Sequence, residues 1–153
     1  MARRRARELA FRTLFQAERG STPVLDVWRQ VREELSEVDE DDAEDTYGDA
    51  LDREGITFAE RLVQAYAEHA QDIDDRLQAV IEGWSFGQMN QTDLNVLRLA
   101  TTEMLYEAGV PRKVTIEMAV RTAKKFGGEE SGRFVNGVLA KLYREIELQS
   151  RSG

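Results

Sequence analysis

DLNVLRLATTEMLYEAGVPRKVTIEMAVRTAKKFGGEESGRFVNGVLAKL, from Asp93 to Leu142, is the stretch whose reading decides the fold. Leu94, Leu97, Thr101, Met104 and Leu105 fall three and four residues apart on one helix face, while Val96, Leu99 and Tyr106 make the other side apolar as well. A helix apolar on several sides is a buried one, so this segment predicts a central helix surrounded by others. Gly109 and Pro111 end it by supplying a permissive residue and then one that cannot continue the ladder. The next helix runs from about Lys113 to Phe126, with Ile116, Ala119, Val120 and Ala123 inward, until Gly127 and Gly128 stop it. A last helix begins near Glu130, whose charge suits the positive end of the macrodipole. Val135, Val138, Leu139, Leu142 and Ile146 face its core, and residues 149–153 (QSRSG) read as a frayed tail.

The same helical period runs back to the start of the chain. Ala6, Leu9, Ala10, Thr13, Leu14 and Ala17 make the stripe of a first helix, with Phe11 and Phe15 beside it. Gly20, Ser21 and Thr22 end that helix, and Pro23 opens a second one lined by Val24, Val27, Trp28, Val31 and Leu35. Residues 37–55 have little apolar content and read as an acidic loop, with a helical turn around Ala50 and Leu51. Thr57 then reads as an N-cap with Glu60 completing a capping box, ahead of Leu62, Val63, Tyr66 and Ala70. A fourth helix from about Asp72 uses Ile73, Leu77, Val80, Ile81 and Trp84, and residues 86–91 (FGQMNQ) break the pattern. Apolar/polar alternation is nearly absent, so the fold class is all-α, with about seven helices and the acidic insertion after helix 2.

The 153 residues fit a single domain. They include no cysteine, which excludes disulfides, thiolate metal sites, nucleophilic cysteine chemistry and iron–sulfur clusters. The net charge of −8 argues, taken whole, against a nucleic-acid partner, but it hides its parts. From Glu33 to Glu54 twelve acidic residues stand against Arg53, so this segment carries −11 and the remainder +3. Residues 1–19 and 109–153 each carry +4. Such asymmetry points to a basic surface separate from a solvated acidic segment. No apolar run of signal-peptide length follows Arg7, Glu8 and Glu18 disfavour a transit peptide, and no stretch of about 20 apolar residues could span a bilayer. The chain reads as cytoplasmic, with no membrane partner.

Two motifs carry candidate chemistry. ARRRAR puts Arg3, Arg4, Arg5 and Arg7 within about one and a half turns of a helix start, where cations oppose the dipole and an anionic partner would relieve them. Arginine suits RNA, because its planar fork bonds phosphate in pairs and its face stacks on bases; a solvated tail or an acidic protein surface would also satisfy the charge. KKFGGEESGRF, from Lys124 to Phe134, joins three cations, two aromatic rings and a Gly pair at an interhelix turn. Backbone N–H groups there, with Lys124, Lys125 and Arg133, suit a phosphodiester while Phe126 stacks on a base. The plain alternative is a Gly-terminated turn with Phe126 and Phe134 in the core. GxxxxGR at Gly127–Arg133 is not a phosphate-binding P-loop, which needs Lys followed by Ser or Thr between a strand and a helix.

The remaining polar candidates read as structural. His69, the only histidine, serves solvent or a cap; Asp72, Asp74 and Asp75 are acids of a helix start; Trp28 and Trp84 belong to the core. No cofactor or metal site is expected, and no catalytic residues.

RRRARELAFRTLFQAE at Arg3–Glu18, DLNVLRLATTEMLYE at Asp93–Glu107 and VPRKVTIEMAVRTAKKFGGEESGRFVNGVLAKL at Val110–Leu142 together resemble the NusB family of bacterial transcription antitermination factors. The A-K-x-F-G turn followed by S-x-R-F-V-N-G-V-L is the most specific part, whereas residues 37–56 match nothing in the family pattern. The resemblance implies two small subdomains, three helices at about 1–70 and four at about 72–149. It also implies an activity: pairing with NusE, a small-subunit ribosomal protein, to bind single-stranded boxA RNA of ribosomal RNA operons. Bound there, the pair keeps RNA polymerase elongating in an antitermination complex and assists ribosome assembly. On this chain the RNA face so implied comprises Arg3, Arg4, Arg5 and Arg7, with Phe126, Gly127, Glu130, Arg133 and Phe134; Lys124 joins them from the reading of the turn. Phe15 falls where the family often has an aromatic residue near RNA, and Glu130 is expected to cap its helix and select a base. Some members self-associate through the face RNA needs, so a homodimer would be a masked state. Two other classes compete: a helical adapter that binds NusE without touching RNA, and a methyltransferase, which would need a Rossmann-like domain and a cysteine this chain lacks.

Overall fold

The computed structural model describes residues 3–37, 51–81, 83 and 85–152. The α-helices are α1 (Arg4–Gly20), α2 (Val24–Glu37), α3 (Arg53–Val80), α4 (Gln91–Tyr106), α5 (Arg112–Gly127) and α6 (Glu129–Ser152), with a short 3₁₀ turn at Phe86–Gln88 before α4. Among the described residues there is no strand, and no helix is long and apolar enough to cross a membrane. The chain divides into two compact units, Met1–Glu68 and His69–Gly153.

In the first unit α1 ends on Ser21, which adopts a left-handed conformation (φ 50°). Thr22 N donates to Ala17 O at 3.0 Å and so closes the last turn. Pro23 opens α2 as expected, its carbonyl accepting from the N–H groups of Asp26 and Val27. The start of α3 differs from the capping-box reading. The helix begins at Arg53, and Asp52 caps it, its Oδ1 accepting from Gly55 N at 2.8 Å. Thr57 lies one turn inside, its hydroxyl donating to Arg53 O at 2.9 Å. Glu60, freed from any capping duty, bridges two helices: its Oε2 accepts from Trp28 Nε1 and from Arg32 Nη1, each at 2.8 Å. Trp28 is core, as its apolar face indicated, and Phe11, Leu14, Phe58, Leu62 and Val63 are buried in the same unit. The acidic loop is shorter at both ends than 37–55, because Glu37 belongs to α2 and residues 53–55 to α3. Its residues 38–50, like Trp84, lie outside the described residues.

The two helices expected either side of residue 70 run together as α3, with non-helical dihedrals only at His69 (φ −119°, ψ 21°). His69 has neither a solvent nor a capping role alone, since its ring stacks on Tyr106 with centroids 4.4 Å apart and planes 11° from parallel. In the second unit α4 meets the expectation of a helix buried on all sides: every residue from Asp93 to Met104 is buried. Several of its polar side chains turn to nearby partners, as burial favours, although Asp93 Oδ1 and Gln91 Oε1 are buried without a hydrogen bond to any described residue. Asn95 Nδ2 donates to Gln91 O, the Thr101 and Thr102 hydroxyls to Leu97 O and Arg98 O, and Thr115 Oγ1 to Glu103 Oε2. Arg98 holds Asp74 through two parallel bonds of 3.0 and 3.2 Å, so this aspartate is an ion-pair partner rather than a helix-start acid. Asn90 caps α4 by accepting from Asp93 N at 2.9 Å. The tail expected to fray is helical through Ser152, and Arg76 Nη1 donates to Gln149 Oε1 at 3.1 Å against its last turns.

Candidate nucleic-acid interface

The first candidate region is the start of α1. Arg3 stands at its N-cap with no side-chain cap, and the first turn holds no acid. The amide end of the helix, with its positive dipole, and the guanidinium cluster therefore coincide. The four arginines are not equivalent. Arg4 and Arg5 are exposed. Arg3 and Arg7, one turn apart, both reach the ring of Phe58, at 4.4 and 5.2 Å from its centroid, and Arg61 approaches the same ring at 5.6 Å. Phe58 is fully buried and Arg7 only 8% exposed, so this part of the cluster is held against an aromatic face inside the protein. Nothing in the sequence singles out Phe58, which looks like any other stripe residue of α3. Phe15 lies three turns further along α1, half-buried, 5.9 Å from Phe11 and under Arg19 at 5.8 Å. It lines a surface hollow with Leu9 and Arg12 of α1 and Val31 and Leu35 of α2.

The second region, in the other unit, is the turn between α5 and α6. The structure brings Lys124, Phe126, Gly127, Glu130, Arg133 and Phe134 to this one turn. Gly128 takes φ +92°, a conformation that favours glycine, and its N–H donates to Lys124 O to close α5. Ser131 packs so closely on Gly127 that a Cβ there would stand 2.8 Å from its Cβ; the Ser131 hydroxyl donates to Gly127 O at 3.2 Å. Gly132 accepts the aliphatic stem of Lys124 in the same way, with its missing Cβ 2.6 Å from Lys124 Cγ. Three glycines thus let the ends of α5 and α6 close up and lay Lys124 across the first turn of α6, its ammonium 3.8 Å from Glu129.

Around this joint Lys125 sits 5.4 Å from the Phe126 ring, and Arg133 and Glu130 are exposed. Phe126 and Phe134 are half-buried, which answers neither extreme of the sequence reading: each side chain is partly covered by the protein and partly open to solvent. Lys124 and Lys125 lie in the last turn of α5 and Glu129 and Glu130 in the first of α6, so all four complement the helix dipoles. Chemically, a turn with cations, helix-start amides and two half-exposed rings suits a phosphodiester whose bases can stack. The candidate residues therefore form one group in each unit, with Phe15 apart from the arginines on α1.

The NusB family model matches residues 4–144. A transcription antitermination protein NusB of Deinococcus deserti is 50% identical over 95% of this chain and 82% of its own length. The crystal structure of T. maritima NusB superposes with a TM-score of 0.77 at 36% identity, covering 95% of this chain and 92% of that one. A crystal structure of the antitermination factors NusB and NusE in complex with double-stranded RNA shares the fold at a TM-score of 0.76 and 24% identity, covering 95% of this chain and 99% of that one. With the family pattern running from α1 through most of α6 and a half-identical relative, the chain belongs to the NusB family.

Proposed function

We propose that this chain is a non-enzymatic transcription antitermination factor. Together with a NusE-type ribosomal protein it binds single-stranded boxA-like RNA of ribosomal RNA operons and joins an RNA polymerase antitermination complex. The observation that carries the proposal is the turn between α5 and α6, where Lys124, Lys125 and Arg133 share one turn with two half-exposed rings, inside the stretch that the family model matches. Relatives bearing the antitermination name, and a fold neighbour solved with NusE and RNA, support the same reading. In it the arginines of α1 attract and fix phosphates, Phe126 and Phe134 stack on bases, and Glu130 accepts from base N–H groups while favouring the start of its helix.

Fluorescence anisotropy with a boxA-like RNA and a scrambled one, each with and without NusE, tests this. Preferential binding of boxA, strengthened by NusE and weakened by salt, is the expected outcome. Equal and feeble binding to both RNAs sinks the proposal, and capture of NusE without any gain for boxA would leave a protein adapter in its place.

A further inference from the structure

Arg133, Gly137, Lys141 and Arg144 follow one another on α6 at spacings of four, four and three residues, which places them on one face of the helix. That face borders the end of α3 within the second unit. A hollow of about 350 Å³ lies between Val80 and Ile81 on one side and Arg133, Phe134, Gly137 and Lys141 on the other. A second, of about 310 Å³, continues it between Arg76 and Val80 and the side chains of Lys141, Arg144 and Glu145. Because both hollows share Val80 and Lys141, they form one groove. Four cations flank it, and among the described lining residues Glu145 is the one carboxylate, in a chain whose net charge is −8. Arg76 is steadied by Asp72 at 3.3 Å and Gln149 at 3.1 Å.

Gly137 adds a separate observation. It sits in the interior of a 24-residue helix, where glycine weakens the helix. Its φ is not positive, and no atom of the described residues lies within 4 Å of the place a Cβ would occupy. Neither backbone conformation nor internal packing calls for a glycine, so the bare floor leaves room for an approach from outside. Arg133 and Phe134 belong both to the turn and to the groove, so a strand bound at the turn can enter the groove without a break. Arg133 and Arg144 are about 16 Å apart along the helix axis, enough for several nucleotides in line.

We infer that the groove between the end of α3 and the exposed face of α6 carries a further stretch of the RNA strand, with Arg133, Lys141, Arg144 and Arg76 facing its phosphates and Gly137 admitting its backbone. This rests on the proposal that the turn binds RNA. The test is a comparison of two RNAs by anisotropy across a salt series: the boxA-like RNA, and the same RNA lengthened by a short uridine run at its 5′ or 3′ end. For the unaltered protein one of the two extensions should tighten binding roughly three- to tenfold at low salt. It should also steepen the logarithmic salt slope by about 1.4, as two further single-strand phosphate contacts require.

The double variant Lys141→Gln/Arg144→Gln and, separately, Gly137→Leu should bind the unextended RNA as before and lose the gain, with helix content checked by circular dichroism. If neither extension tightens binding while boxA is still preferred over a scrambled RNA, the groove assignment is overturned and the role of the turn stands. If boxA is not preferred at all, both fall. A charge variant that keeps the gain, or loses affinity for NusE alone, also overturns the assignment, the latter by giving the groove to a protein partner.

Discussion

The start of α1 and the turn between α5 and α6 both gather cations, but they stand at opposite ends of the helix dipole. At the turn, Lys124 and Lys125 occupy the last turn of α5, where carbonyl groups favour positive charge. At α1 the arginines crowd the amide end, where each is disfavoured by roughly 0.3 to 1 kcal/mol unless something offsets it. Phe58 supplies part of that offset by taking Arg3, Arg7 and Arg61 around one buried ring. The turn is therefore charged in accord with its own fold. The α1 cluster is charged against the dipole of its own helix.

The sharpest way to break this contrast is to remove the ring. Phe58→Ala should lower the unfolding free energy by about 3 to 5 kcal/mol in urea, since it empties a fully buried site as well as releasing three guanidiniums. An unchanged midpoint would show that Phe58 does not organise the cluster. At the turn the close approach of backbones carries the corresponding weight. Gly127→Ala brings a methyl against Ser131 and should cost about 1 to 3 kcal/mol, most of it recovered by adding Ser131→Gly; additive effects of the two changes would refute the contact.

Smaller changes separate fold from ligand. Replacing exposed Arg4 and Arg5 together by Ala should leave stability unchanged or raise it by about 0.3 to 1 kcal/mol, by relieving the dipole. The same change should weaken RNA binding and flatten the salt slope by about 1.4. A loss of stability would place these two arginines in the folded framework with Arg7. The smallest effect belongs to charge acting at a distance. Asp39, Asp41, Asp42 and Asp45 changed to Asn should speed RNA association at low ionic strength. The difference should vanish near 1 M salt, where the screening length falls to about 3 Å. Equal rates at low salt would mean that this charge lies too far from the RNA path to matter.

How much of this was legible beforehand differs by region for physical reasons. The burial of α4 was plain, because apolar residues occupy every side of it and Gly109 and Pro111 mark its end. The turn was equally plain from its paired glycines and the flanking rings. The start of α3 was misplaced because Asp52, which caps it, stands in a row of acids and looked like one more of them, while Thr57 and Glu60 imitate a capping box by spacing alone. What separates the two is tertiary: Glu60 is claimed by Trp28, 32 residues away, and local patterning cannot see that claim. The pairing of Arg98 with Asp74, 24 residues apart, was hidden in the same way. So was Phe58, whose place in a helical stripe gives no hint that arginines from another helix rest on it.

The bond from Trp28 to Glu60 also gives the first unit a built-in optical gauge. An indole 5% exposed, with its N–H tied to a carboxylate that also binds Arg32, has an emission set by the contact between α2 and α3. The chain has only one other tryptophan, Trp84. With Trp84→Phe in place, the wavelength of the remaining emission follows that contact alone during denaturation. Set beside helix content, which sums over both units, it separates their unfolding midpoints in one titration and shows whether the kink at His69 divides the chain into two cooperative blocks or merely bends one.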